Sequence, residues 1–113
     1  MVPSHPGFSL DVQSWEDGGT RVVASGELDL AVAGDFRETV AEQLAAGPVL
    51  LDLRDLQFMD SSGIAALDAL LRTAAAQGWS LQLGATMQEP VRRVLEMTGM
   101  LDVLAIADAE EAG

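Results

Sequence analysis

The chain has 113 residues, enough for one domain and too few for two ordinary ones, and its 49% hydrophobic content and mean hydropathy of +0.22 supply a core and exclude general disorder. Eighteen Asp and Glu face six arginines and no lysine, so a net charge of −12 argues against nucleic acids and anionic membrane surfaces as partners. The absence of cysteine removes disulfides, thiolate metal sites and cysteine nucleophiles, and favours an intracellular compartment.

Residues 1–7 read MVPSHPG, a flexible lead-in with no basic residue and no apolar run, unlike a signal peptide. No apolar stretch reaches the length of a membrane span. A single domain is expected over 8–106, followed by a flexible acidic tail over 107–113. Phe8, Leu10 and Val12 alternate with polar residues and predict a half-buried strand. Asp17-Gly18-Gly19 supplies a turn, and Arg21 to Glu27 predicts the returning strand of an antiparallel hairpin. Val32, Phe36, Val40 and Leu44 mark a first helix starting near Ala31 to Ala33, stopped by Gly47-Pro48.

Val49 to Leu53 is an apolar run with one acid and predicts a central strand covered on both faces. A second helix is predicted from Ser61 to Gln77, with Ile64, Leu67, Leu71 and Ala74 inward and Gly78 ending it. Leu81 and Leu83 mark a further strand. Pro90 is placed to open a third helix, lined by Val91, Val94, Leu95 and Thr98 and closed by Gly99. Val103 to Ile106 reads as a last short strand. Strands alternating with helices after an opening hairpin indicate an α/β domain. The expected architecture is a mixed four- to five-stranded sheet with three to four packed helices.

The segment Phe58-Met59-Asp60-Ser61-Ser62-Gly63-Ile64 lies between the buried strand and the second helix, the end of an α/β sheet where ligands gather. Its plainest role is capping, with Asp60 or Ser61 accepting from orphan backbone N–H groups. The same geometry suits a phosphorylation switch. A phosphoryl group on Ser61 or Ser62 would add about −1.5 to −2 units of charge at a helix N-terminus.

The segments Gly26-Glu27-Leu28-Asp29, Leu51 through Asp60-Ser61-Ser62-Gly63-Ile64, and Val91 through Thr98-Gly99-Met100 resemble STAS domains, and among them the bacterial anti-sigma factor antagonists. The resemblance runs in order over about residues 8 to 106. It implies a cytoplasmic, non-enzymatic regulator that, unphosphorylated, captures an anti-sigma factor serine kinase and so frees a sigma factor. It implies phosphorylation on Ser62, with Ser61 as second choice, by a partner that brings its own ATP and Mg²⁺; this chain would hold no cofactor. A PP2C-type phosphatase would reverse the mark. Asp29 and Asp60 match the family's acids near the acceptor. A partner surface is expected from Asp29, Asp60, Ser61, Ser62 and Gly63, together with Ala65, Ala66, Ala69 and Arg72 beyond the core stripe of the second helix. The same fold also admits another role, as an accessory subunit docked on the ATPase of a membrane lipid-transport complex.

Enzymatic readings are poorly supported. Met59-Asp60-Ser61 lacks the first glycine of a Gly-x-Ser-x-Gly elbow, and the single histidine, His5, stands in the lead-in. No calcium-type loop or phosphate-binding glycine loop is present.

Overall fold

Two strand–helix units, each with an aspartate between strand and helix, form the centre of the molecule in a computed structural model that describes residues 4–5, 7–103 and 106–107. The strands are β1 (Ser4–His5), β2 (Phe8–Ser14), β3 (Thr20–Leu28), β4 (Val49–Met59), β5 (Leu81–Gly84) and β6 (Ile106–Ala107). The helices are α1 (Leu30–Ala46), α2 (Ser61–Gln77), α3 (Glu89–Met97) and α4 (Met100–Val103). The sheet follows chain order, antiparallel from β1 to β3 and parallel from β3 to β6. Four principal strands, β2 to β5, are thus flanked by two-residue edges, and the mixed α/β architecture expected from the sequence is the one found.

The opening hairpin forms as predicted. Phe8 and Leu10 point into the core while Ser9 and Asp11 face solvent. A 3-10 turn at Glu16–Gly18 joins the strands, and Trp15 N–H donates to the Gly19 carbonyl at 2.9 Å. Pairing also reaches into the expected lead-in, where Ser4 and His5 align with Ser9 and Phe8.

Gly26 explains one of the sequence's glycines. Its φ is +95°, and a Cβ there would lie 2.0 Å from the Gly7 carbonyl oxygen, so only glycine fits. The register of β3 against β4 slips at this point, as at a bulge.

Helix α1 begins at Leu30, slightly earlier than expected, because Asp29 caps it. Its predicted stripe of Val32, Phe36, Val40 and Leu44 is buried. Strand β4 is buried from Val49 to Leu53, as expected of a central strand, but continues to Met59. Phe58 and Met59 therefore belong to the strand rather than to a connecting loop.

The single acid of that apolar run, Asp52, is fully buried. Burial alone would raise its pKa. The Arg54 backbone N–H at 3.0 Å, the Arg21 guanidinium and the Arg54 guanidinium outweigh that effect and hold the carboxyl below its ordinary value. Arg21 Nε donates at 3.0 Å and Arg54 Nε at 3.1 Å to the same oxygen. The charge is tolerated inside the sheet because it is paired and hydrogen-bonded.

Helix α2 spans the predicted residues and ends at Gly78, which takes a left-handed conformation and donates its N–H to the Ala74 carbonyl. Its inward line differs from the expected one. Gly63, Ala66, Leu67, Leu70 and Ala74 are buried, whereas Ile64 and Leu71 flank the core half-buried. Leu67 and Ala74 are buried as expected; the expected line missed Leu70 and also Gly63 and Ala66, small residues that let elements approach closely.

Helix α3 starts at Glu89 with Gln88 at the cap, so Pro90 occupies the second helical position. Val91 and Leu95 are buried, but Thr98 is exposed, and its hydroxyl donates to the Val94 carbonyl at 2.9 Å. The expected strand from Val103 is corrected: Val103 ends α4, and pairing with β5 begins at Ile106. Met59 and Met100 fill the core, while Met97 is 79% exposed.

Candidate functional site

Parallel pairing aligns Leu28 of β3 with Met59 of β4, so the next residues, Asp29 and Asp60, emerge side by side from one end of the sheet. Each caps the helix that follows. Asp29 Oδ1 accepts from Ala31 N–H at 3.0 Å. Asp60 Oδ1 accepts from Ser62 N–H at 2.8 Å and Gly63 N–H at 3.2 Å. Asp60 N–H in turn donates to the Leu28 carbonyl at 3.2 Å, tying the start of α2 to the end of β3. The positive ends of two helix dipoles meet at this edge.

The division of labour at α2 matters for chemistry. Asp60 performs the capping, so neither serine is needed for it. Among the described residues, the hydroxyls of Ser61 and Ser62 have no hydrogen-bond partner. Ser61 is exposed and Ser62 half-buried, so neither residue is closed off from solvent. Asp29, expected near the serines, directs its side-chain hydrogen bond to its own helix instead.

Ser62 stands in a groove of about 300 Å³ between the two helices. Leu30, Ala33, Gly34 and Arg37 of α1 form one wall; Ser62, Ala65, Ala66 and Ala69 of α2 form the other. The alanines expected to make a shallow partner surface are therefore brought together, but three members of that expected surface are placed otherwise. Ala66 is only 7% exposed and lies at the groove floor. Gly63 faces inward: a Cβ would stand 2.6 Å from Met59 Cγ and 2.9 Å from Leu28 Cγ, so the glycine seats α2 on the two strand ends rather than admitting a partner's backbone. Arg72 does not join the site either. It pairs with Asp68 at 2.9 Å and lines a separate hollow with Leu71, Trp79 and Val103.

The α1 wall was missed by sequence reasoning. Its signal was present in Gly34, an exposed glycine inside a helix, where a side chain would have met open space. Two large apolar side chains are exposed near these strand ends: Leu30, which follows Asp29 and lines the groove, is 79% exposed, and Phe58, which precedes Met59, is 44% exposed. Among the described residues, no group of three or more His, Cys, Asp or Glu is placed to hold a metal ion. Among the same residues, no helix is long and apolar enough to cross a membrane.

A family model described as "STAS domain" matches residues 16–113. The chain belongs to the STAS domain family. A STAS relative from Bacillus subtilis (strain 168), named Anti-sigma-B factor antagonist, is 29% identical over 107 residues, covering 94% of this chain and 96% of its own length. The crystal structure of an anti-sigma factor antagonist from Mycobacterium paratuberculosis matches with a TM-score of 0.78 at 22% identity, over 94% of this chain and 91% of that one. The structure of the Bacillus cell fate determinant SpoIIAA in the phosphorylated form matches with a TM-score of 0.67 at 22% identity, over 91% of this chain and 95% of that one. At such identities the two structures speak for the STAS fold alone.

Proposed function

We propose that this STAS domain is an anti-sigma factor antagonist switched by phosphorylation of Ser62. Unphosphorylated, it binds an anti-sigma factor that is also a serine kinase and so releases a sigma factor. The kinase partner transfers the γ-phosphoryl group of its own ATP, bound with Mg²⁺, to Ser62 Oγ; the hydroxyl proton leaves and ADP departs. A PP2C-type phosphatase hydrolyses the phosphoester and restores the binding form. This chain contributes no catalysis and acts in the cytoplasm.

One observation carries the reading: Asp60 alone caps α2, leaving an uncommitted, reachable hydroxyl on Ser62 at the positive end of a helix and at the mouth of an apolar groove. The names of the relatives support the sigma-factor assignment. The position of Ser62 as second serine of Asp-Ser-Ser-Gly supports it over Ser61 as the acceptor. Phosphate at that point would meet N–H donors, yet would also stand beside the Asp60 carboxylate in a chain already at −12. A partner surface matched to the neutral serine would then be repelled.

The test incubates the chain with a kinase-type anti-sigma factor, ATP and Mg²⁺, and maps the product by mass spectrometry. Phosphate is expected on Ser62, and Ser62→Ala is expected to remove it while leaving the complex intact. Undiminished modification of Ser62→Ala would overturn the assignment. Ser62→Asp is expected to weaken the complex at least about tenfold, the effect of about 1.4 kcal/mol.

A further inference from the structure

Six arginines carry all the formal positive side-chain charge outside the single histidine. Five are engaged within the described structure. Arg21 and Arg54 hold Asp52, Arg72 holds Asp68, Arg93 reaches Glu89, and Arg92 donates to the Ala85 carbonyl. Among the described residues, Arg37 alone of the arginines makes no ion pair and no side-chain hydrogen bond. The sequence leaves it so. Its helical neighbours at three and four residues are Ala33, Gly34, Val40 and Ala41, none of which can accept a hydrogen bond through its side chain.

The unengaged guanidinium is also well placed. Arg37 and Ser62 line the same groove, and Arg37 is the charged residue of that lining. Both helices start from the same end of the sheet, so they run alongside each other from Asp29 and Asp60. Side chains on a helix lean toward its N-terminus, so Arg37 leans toward the end where Ser62 stands. Ala33, Gly34, Ala65 and Ala69 lie in the groove between them, and a Cβ built on Gly34 meets no atom within 4 Å.

We propose that Arg37 is this chain's own phosphate clamp, a positioning residue that pairs across the α1–α2 groove with a phosphoryl group on Ser62. The inference rests on the phosphorylation reading and deepens it. Arginine suits the task, since its planar fork offers two parallel donors to phosphate oxygens and keeps its charge at all relevant pH. The pairing offsets the repulsion from the Asp60 and Asp29 carboxylates at the same edge. It also draws a charged bridge over the apolar groove, so that modification changes the surface between two helices and not only at one hydroxyl.

The test uses the full chain with phosphoserine installed at Ser62 during translation, so that no kinase is needed. A ³¹P NMR titration reads the second ionisation of the phosphoryl group in the wild-type, Arg37→Ala and Arg37→Lys backgrounds. The wild type is expected to ionise lower than Arg37→Ala by about 0.5 pH unit or more. Arg37→Lys is expected to fall between them, keeping the charge but losing the fork. Coincident curves for wild type and Arg37→Ala overturn the clamp. A second measurement needs no substitution: the Arg37 Nε–H resonance of the wild-type chain is expected to shift on phosphorylation, and an unmoved resonance also overturns it. If a kinase partner leaves Ser62 unmodified while these shifts appear, the switch reading fails and the clamp stands.

Discussion

Asp52 shows how a single residue can be both a liability and a support. Its carboxylate is fully buried, yet it accepts from the Arg54 backbone and from two guanidinium groups. Its folded pKa is depressed, so its stabilising contribution is complete above the unfolded value of about 3.9 and is lost as pH falls through the folded value. Asp52→Asn is expected to cost about 3 kcal/mol at pH 7, because two arginines lose their shared partner. Urea unfolding at several pH values checks this: the gap between wild type and Asp52→Asn should be constant near neutrality and narrow below about pH 4. A gap that widens on acidification would refute the pairing. The sequence displayed this acid within an apolar run but gave no hint of its partners, because Arg21 lies 31 residues away and only strand pairing brings it close. At the candidate site, Asp60, Ser61 and Ser62 were legible from local spacing, whereas Arg37 was not, since its place depends on how two helices pack.

Among the elements, those with strong local punctuation were readable and those set by pairing were not. Helix α2 runs between Asp60 and Gly78 as expected, for a capping acid and a left-handed glycine are local signals. Strand β4 was expected to stop at Leu53 because the apolar run stops there, but pairing with β3 carries it to Met59. The last expected strand failed similarly: Met100 to Val103 forms a helical turn after Gly99, and β6 comes later. Helix α1 carries Gly34 at an exposed position with open space around it, which weakens the helix without serving its packing. Gly34→Ala is expected to stabilise the chain by about 0.5–1 kcal/mol, read as a raised urea midpoint at unchanged slope. Destabilisation would mean that the groove cannot accept even a methyl group.

For the molecule as a whole, the dominant feature is charge. A formal −12 with a sequence pI near 4.1 places like charges close together over a small surface. Raising NaCl from about 0.01 M to about 0.15 M shortens the screening length from roughly 30 Å to 8 Å. The melting temperature is therefore expected to rise by a few degrees (~2–5 °C) as self-repulsion is screened. A fall would show that the exposed pairs Arg72–Asp68 and Arg93–Glu89 outweigh the general repulsion. The overall mixed α/β plan was legible because strands and helices alternate along the chain, and each parallel step uses a helix as its crossover.

Gly63 bears on how fast the proposed switch would operate. With no side chain of its own, it lets the tip of α2 rest directly on Leu28 and Met59, both fully enclosed. An anchor of this kind leaves the serine on a stationary mount. Toggling would then require no refolding or hinge travel, and its tempo would be dictated by the rates of the enzymes that write and erase the mark.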